Sequence, residues 1–552
     1  MANKFATPNE VCKRTVCVHA ASALELLKKA GSYSTILKDE KLSALFDTLV
    51  PGAGTVVGSF KEGTFQVLET DSHDVIVASS GRKKTRAEIL PSVISYALAG
   101  LPIIVNDMKG EVLDAIKPVL DAMEYKTYVL DFRNPASSPN CFNPLSLAWD
   151  CYAKKSPDEA AKVIRNIAEV LYSDLSKNTN DYFWPSMAIE YFSGLALGML
   201  ELRTAKQVKD FTIEGVYNFS KKGVNPLREL FLNIEGSVAE HNVHGILWAP
   251  SDTRSSIESV FSDPLSIFCS QKGLMNLLSH SDFSPSDLTQ SHTALFVISP
   301  DENSTMAPIV TAVFSQLMSE LVSIATRAGG ALPYSVQFVL DEFGNLCRIP
   351  NFEHIVSAAR SRGLRLHICL QSTYQLSLVY GNDVKNIITG NIYNWIYMGT
   401  RDLAFLKEFS EQLGTYTTST GNTEPILNIQ NLTMLEKREC ETEAICLIED
   451  LKPYLAVLPD YEYLYEPFFT GSSKKEPTDT QPHEKKPTDS TKKKKAGDTQ
   501  EVSKHEEEQP QVPTNGHPMS DMKKQELLKD VLSDLETLYT KAAAMTQNNQ
   551  HD

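Results

Sequence analysis

A chain of 552 residues exceeds what one hydrophobic core holds, so two or three structural units are expected. Its 42% hydrophobic and 9% aromatic content is that of an ordinary globular protein, and a net charge of −16 excludes a surface coated uniformly for nucleic acid, though not a local basic channel. Nine scattered cysteines without a Cys-x-x-Cys pair argue against a disulfide framework and for reduced thiols.

From the amino terminus, helical stretches are predicted at 21–29 and 38–49, and no basic segment leading into an apolar one marks a secretory signal. The run Gly52-Ala-Gly54-Thr-Val-Val-Gly58 loosely echoes a dinucleotide fingerprint. It follows Pro51 rather than a strand and no helix comes after it, so that reading fails on context. From about residue 64 to 468, short β-rich runs alternate with helical ones. Strands are predicted at 74–78, 102–107 and 126–131, with helices at 85–98 and 111–123 between them, the rhythm of βαβ units and a parallel sheet. Residues 150–287 then show mainly helical periodicity, including 158–171 and 182–202, and read as an inserted all-α domain. No uninterrupted apolar stretch reaches membrane-spanning length; the best candidate, Tyr191 to Leu200, is flanked by Glu190 and Glu201. The alternation resumes with a strand at 294–299, a helix at 306–326 and the strand Val336 to Leu340. Then come a helix at 352–362, a strand at 365–371, a helix near 383–388 and a strand near 395–398.

The fold class expected is therefore α/β, a domain with a mainly parallel sheet in two parts, 51–149 and 288–470, which the motifs below make the P-loop nucleotide-binding domain. It is preceded by a helical docking segment, 1–50, and interrupted by the helical domain. After Gly471, Lys, Glu, Pro, Thr, Asp, Ser and Gln dominate, so a disordered linker is expected over 471–518. Met522, Leu527, Leu528, Val531, Leu532, Leu535 and Leu538 then recur at helical spacing, and 519–552 reads as an amphipathic docking helix.

Two motifs carry the chemistry. Val336 to Leu340 is a buried strand closed by Asp341 and Glu342, which puts two acids at its carboxyl end, where open α/β sheets place ligands. In P-loop ATPases that position holds the acid that orders Mg²⁺ and a glutamate that polarises the attacking water. The second motif is the turn after strand 74–78. Against the pattern G-x-x-x-x-G-K-[ST], Lys84 and Thr85 match, but Ala78 and Lys83 stand at the two glycine places and only Gly81 remains inside the loop. Lys83 is the more serious departure, since that position is crowded, although its charge suits a polyphosphate. The loop Ser79, Ser80, Gly81, Arg82, Lys83, Lys84 and Thr85 is the expected nucleotide contact. A basic turn that binds some other anion is the alternative. His241-Asn-Val-His244 has no obvious acid or cysteine partner and fits surface histidines better than a metal site.

These motifs sit among others that together resemble the type IV coupling proteins of conjugative plasmids, the TraG/TraD-type DNA-transfer ATPases. The likeness covers about residues 50–460. It is carried by Gly54-Thr-Val-Val-Gly-Ser-Phe60, Glu88-Ile-Leu-Pro-Ser92, Val105-Asn-Asp-Met-Lys-Gly-Glu111, Phe142-Asn-Pro-Leu145 and Asp181-Tyr-Phe-Trp184, and above all by the block from Leu340 to Leu376. The resemblance implies a RecA-like motor, commonly a homo-hexamer, that takes the relaxase-bound single strand of DNA to the ATPases and channel of a type IV secretion system. Carried over, Lys84 and Thr85 would hold phosphate and Mg²⁺ of ATP, Asp341 would order Mg²⁺, Glu342 would activate water and Gln371 would sense the γ-phosphate. Arg360 or Arg362 would be the arginine finger reaching a neighbour's nucleotide.

Many members begin with transmembrane helices and this sequence shows none. Peripheral attachment at the inner face of the cell membrane is therefore expected, through a small membrane-anchor protein or by docking on the secretion ATPases. A rival reading keeps the fold and drops hydrolysis, making the protein an adaptor between relaxosome and secretion ATPases. A double-strand translocase is a third, disfavoured because its folded carboxyl-terminal DNA reader has no counterpart in the polar tail.

Overall fold

Short continuous runs of Val, Ile, Leu and Phe build the centre of this molecule, because a strand covered on both faces has no solvent side to require alternation. The structure, a computed structural model, describes residues 5–173, 182–300, 304–418, 421–438 and 440–464. Asp181, the predicted linker 471–518 and the predicted helix 519–552 lie outside them.

Strands β1 (Val16–Val18), β2 (Thr55–Gly58) and β3 (Phe65–Leu68) form a small antiparallel sheet in the order β1-β3-β2. The central strands are β4 (His73–Ala78), β5 (Ile103–Asp107), β6 (Lys126–Asp131), β7 (Thr293–Ile298), β8 (Val336–Leu340), β9 (Leu364–Leu370) and β10 (Ile392–Gly399). A separate hairpin joins β11 (Thr415–Thr417) to β12 (Thr423–Pro425). Strands β13 (Glu441–Leu447) and β14 (Tyr454–Pro459) complete the main sheet. Its order is β14-β13-β10-β4-β9-β8-β5-β7-β6. From β10 to β6 every pairing is parallel, and β13 and β14 extend the sheet antiparallel. All six residues of β4 and all five of β5 and β8 are buried. The fold is thus α/β with a largely parallel sheet.

Between β6 and β7 the described residues form only helices, from Ser146–Ala153 to the short turn Asp287–Thr289. Helix Phe183–Glu201 is apolar nearly all round and buries Tyr191 to Leu200 against its neighbours. The helix that passes the length and composition test for a membrane span is another one, Ala307–Arg327. The sequence reading misses it because Thr311, Ser315, Gln316, Ser319 and Glu320 interrupt its apolar residues. In the fold it is a core helix: 67% of its apolar window is buried.

The helix predicted at 85–98 starts as a π-turn, Thr85–Ile89, and becomes α-helical at Leu90–Leu98. Pro91 has no N–H to offer the carbonyl four residues back, and the wider turn gives its ring room. Gly54 leads into β2, where a Cβ would meet the Leu68 carbonyl oxygen at 2.1 Å. That glycine serves a close backbone approach rather than a dinucleotide.

Candidate active site

Because β4 and β8 run parallel with only β9 between them, the turn after β4 and the acid pair after β8 open at the same edge of one sheet. Lys84 Nζ lies 2.8 Å from Asp341 Oδ1 and 2.7 Å from Glu342 Oε1. Gln371 follows β9, the strand between them, and its Nε2 donates to Glu342 Oε2 at 3.2 Å. The backbone N–H of Gln371 donates to Gln375 Oε1 at 2.8 Å, which fixes where its own side chain starts. Asn106, near the end of β5, donates through Nδ2 to the Asp341 carbonyl at 2.6 Å. Glu342 itself has φ 50, in the left-handed region, a conformation that costs free energy in a residue with a Cβ. That turn aims its carboxylate back toward Lys84.

The electrostatics are those of a crowded, buried crevice. Burial alone would depress the Lys84 ammonium, but Asp341 and Glu342 override it and hold the charge on. Burial raises the Asp341 carboxyl above the usual carboxylate range, Lys84 pulls it back only in part, and Glu342 adds repulsion. Asp341 Oδ1 has Lys84 beside it but no aligned hydrogen-bond donor. A buried carboxylate oxygen with unmet acceptor capacity, next to a second carboxylate, is a donor set that suits a hard divalent cation. On β5, burial pushes Asp107 up to about 6 even though it accepts the Leu113 N–H.

The loop after β4 has a nucleotide-loop path with an unusual attachment. Gly81 has φ 79 and Lys83 φ 60, so Lys83 adopts the backbone region that a glycine would take at less cost. Its ammonium turns to Asp460 Oδ2 at 3.1 Å rather than into the loop. Arg86 shares the same buried carboxylate, with Nε 3.0 Å away. Arg82 donates to the Met398 carbonyl at 2.6 Å and to the Leu435 carbonyl at 3.0 Å, and Lys437 donates to the Gly81 carbonyl at 2.8 Å. The Ser79 N–H donates to the Gly399 carbonyl at 2.9 Å, Ser80 is exposed on the loop, and Thr85 opens the π-turn. In this structure the charges of Arg82 and Lys83 anchor the loop to β10 and to the end of β14.

Beneath the loop lies a sealed polar network. His367 of β9 sits 2.9 Å by Nε2 from Glu88 Oε2 and 3.5 Å by Nδ1 from Asp74 Oδ2. Glu88 also accepts from Ser92 Oγ at 3.0 Å, and Asp74 accepts from Thr55 and, at 2.9 Å, from Asn394. Burial would lower the His367 pKa, but Glu88 and Asp74 raise it to about 10, so the ring is an imidazolium. The network joins the strand before the loop, the helix after it and the strand that carries Gln371.

Lys84, Asp341, Glu342 and Gln371 are thus brought together. Arg360 and Arg362 are not. Both lie at the opposite, amino-terminal edge of the sheet, where Arg360 pairs with Asp71 at 2.9 Å, approaches Glu449 at 3.6 Å and covers Tyr393. Arg362 donates to the Ala358 carbonyl at 3.0 Å. Asp460, Lys437, Asn106 and His367 are the contributors that sequence reasoning missed. Asn106 left a trace, inside the motif Val105 to Glu111, and so did Asp460, as the acid closing an apolar run. The discounted His244 stacks on Trp248 with centroids 4.6 Å apart, on an exposed helix face.

Comparison with known proteins places the fold. The sequence model of a family described as type IV secretory system conjugative DNA transfer matches residues 23–435. Protein VirD4 of Rhizobium rhizogenes is 24% identical over 375 residues, 66% of this chain and 53% of that protein, so the chain spans about half the length of this relative. The conjugative coupling protein TrwBdeltaN70, in an unbound monoclinic form, matches with a TM-score of 0.54 at 15% identity, over 75% of this chain and 90% of that one. Plasmid coupling protein TrwB in complex with ADP and Mg²⁺ matches at 0.54 and 15%, over 73% and 89%. At that identity the structural likeness is one of fold.

Proposed function

The chain belongs to the type IV secretory conjugative DNA-transfer family, and from that premise we propose that it is an ATP-dependent coupling protein. It binds single-stranded DNA and delivers the relaxase-bound transfer strand to a secretion channel. The observation that carries the reading is Lys84 held between Asp341 and Glu342 with Gln371 on Glu342. TrwB, a fold relative, is known in complex with ADP and Mg²⁺, which supports the same ligands here.

In this reading Lys84 and the loop N–H groups bind the nucleotide phosphates, while Thr85 and Asp341 hold Mg²⁺. Bound Mg²⁺ supplies charge neutralisation at the phosphates. Glu342 takes the proton of the attacking water, and Gln371, hydrogen-bonded to that carboxylate, keeps it aimed. Arg360 or Arg362 acts from the neighbouring protomer of a homo-hexamer, since neither reaches the crevice of its own chain. The relaxosome and secretion ATPases are the partners, with a small anchor protein holding the assembly at the inner membrane face. The non-hydrolysing adaptor is the second reading, favoured by one observation: Arg82 and Lys83, two of the loop's cations, are tied into the protein body.

Nucleotide affinity and turnover, with single-stranded DNA present, separate the two. The motor reading expects hydrolysis by the wild type and its loss in Lys84→Ala. An inert wild type that still bridges relaxase and secretion ATPases would establish the adaptor.

A further inference from the structure

The helical segment is connected to the central sheet through a neck of two non-helical stretches, and the neck carries a side-chain cluster that the nucleotide site does not use. The chain leaves β6 through Cys141 to Leu145 and returns toward β7 through Leu278 to Phe283. The two stretches are laced together. Phe142 N–H donates to the Leu277 carbonyl at 2.8 Å, Asp282 N–H to the Cys141 carbonyl at 3.1 Å and Asn143 N–H to Ser281 Oγ at 3.1 Å.

Here Cys141 Sγ, a ring nitrogen of His280 and a carboxylate oxygen of Asp282 all lie within 4.8 Å of one another. His280 Nε2 is 3.4 Å from Asp282 Oδ1. That is the edge of a tetrahedron whose centre lies about 2.0–2.1 Å from each atom, the distance zinc keeps to imidazole and carboxylate.

The surrounding hydrogen bonds orient these groups as a metal site requires. Ser279 Oγ donates to the Asn276 carbonyl at 2.7 Å, so toward His280 Nδ1, 2.8 Å away, it can only accept. The proton of the neutral ring is therefore on Nδ1, and the Nε2 lone pair faces Asp282. Asp282 Oδ2 accepts the Cys141 N–H at 2.8 Å, which leaves Oδ1 turned to the imidazole. Two lone pairs that close repel unless a proton or a cation lies between them.

Cys141 is buried while the other two side chains are 49% and 36% exposed, which gives an ion a way in. One thiolate, one imidazole and one carboxylate suit a zinc-class ion and not Mg²⁺ or Ca²⁺, which prefer oxygen alone.

We propose that Cys141, His280 and Asp282 bind one divalent transition metal of the zinc class, clasping the two stretches through which the helical segment is attached. The cluster Glu88, His367 and Cys369 is no rival, since both ring nitrogens of His367 already face carboxylates in a sealed network.

The test is a Co²⁺ titration of the full-length chain, stripped by chelator and kept reduced. One equivalent should bind with the near-ultraviolet charge-transfer absorption of a cobalt thiolate, and Zn²⁺ should bleach it. His280→Gln, on the exposed side, and Cys141→Ser should each weaken binding at least about tenfold, with the absorption lost in Cys141→Ser. Far-ultraviolet circular dichroism checks that both variants are folded, and His280→Gln alone decides if Cys141→Ser is not. A wild type without the absorption overturns the proposal and leaves a proton as the bridge. So does an unchanged titration in His280→Gln, or an absorption that survives in Cys141→Ser and so comes from another thiol.

Discussion

The two edges of the central sheet use the same ion-pair chemistry in opposite surroundings. At the carboxyl edge Lys84, with 8% of its side chain exposed, is shared by Asp341 and Glu342 in a crevice. At the amino edge Arg360 is 36% exposed, and its partners Asp71 and Glu449 are 55% and 35% exposed. Buried charges depend on one another, because whichever survives a deletion has no water to turn to. Surface pairs exchange their partners for solvent at little cost. The carboxyl edge is therefore built for one arrangement, and the amino edge is free to meet another molecule.

Substitutions at each edge sharpen that contrast. If Glu342 is the base, Glu342→Gln should give the largest effect, a fall in ATP turnover of about 10²–10⁴-fold with nucleotide still bound. Single-turnover kinetics beside a binding titration would separate the two, and equal losses in both would remove Glu342 from the base role.

His367→Gln leaves Asp74 and Glu88 buried without their cation and should cost about 3–5 kcal/mol in denaturant unfolding. The folded-state value near 10 lies above the ordinary 6.5, so the stabilisation is complete below pH 6.5 and is lost as pH rises toward 10. The gap between wild type and variant should close over that window, and a gap independent of pH would mean the ring is neutral.

Asp460→Asn removes the carboxylate shared by Lys83 and Arg86, and about 1–3 kcal/mol of stability should go with it. Hydrogen exchange should then rise first in the loop 79–84; uniform exchange would show that Asp460 does not anchor it. Smallest in stability is Arg360→Ala, at about 0–1 kcal/mol and sensitive to salt. If Arg360 serves a neighbour's nucleotide, turnover of the assembled protein nonetheless falls while the melting temperature stays. Unchanged turnover would return that role to Arg362 or to neither.

The strands and the acid pair were legible because each depends on local pattern. Val336 to Leu340 is apolar without a break, and burial on both faces is what such a run requires. Edge elements were not. In β13 the burial of Glu441 to Leu447 is irregular, and its pairing with β10 joins segments that no local signal relates. The loop's likeness to a phosphate-binding turn could be read from Lys84 and Thr85, but not where Arg82 and Lys83 point. Asp460, 377 residues beyond Lys83, is fixed only by the end of β14. The His367 network was hidden for the same reason, since its members look unremarkable until four strands and a helix bring them together.

Lys84 already has an internal counter-ion in the two acids. A nucleotide arriving alone would draw the ammonium away and strand both carboxylates, while a divalent ion arriving alone would press against the ammonium. Only the two together give the ammonium a phosphate and the carboxylates a cation. Metal and nucleotide should therefore enter this crevice as mutual prerequisites, each weak without the other, with the resting protein protected from idle occupancy by its own exchange partner.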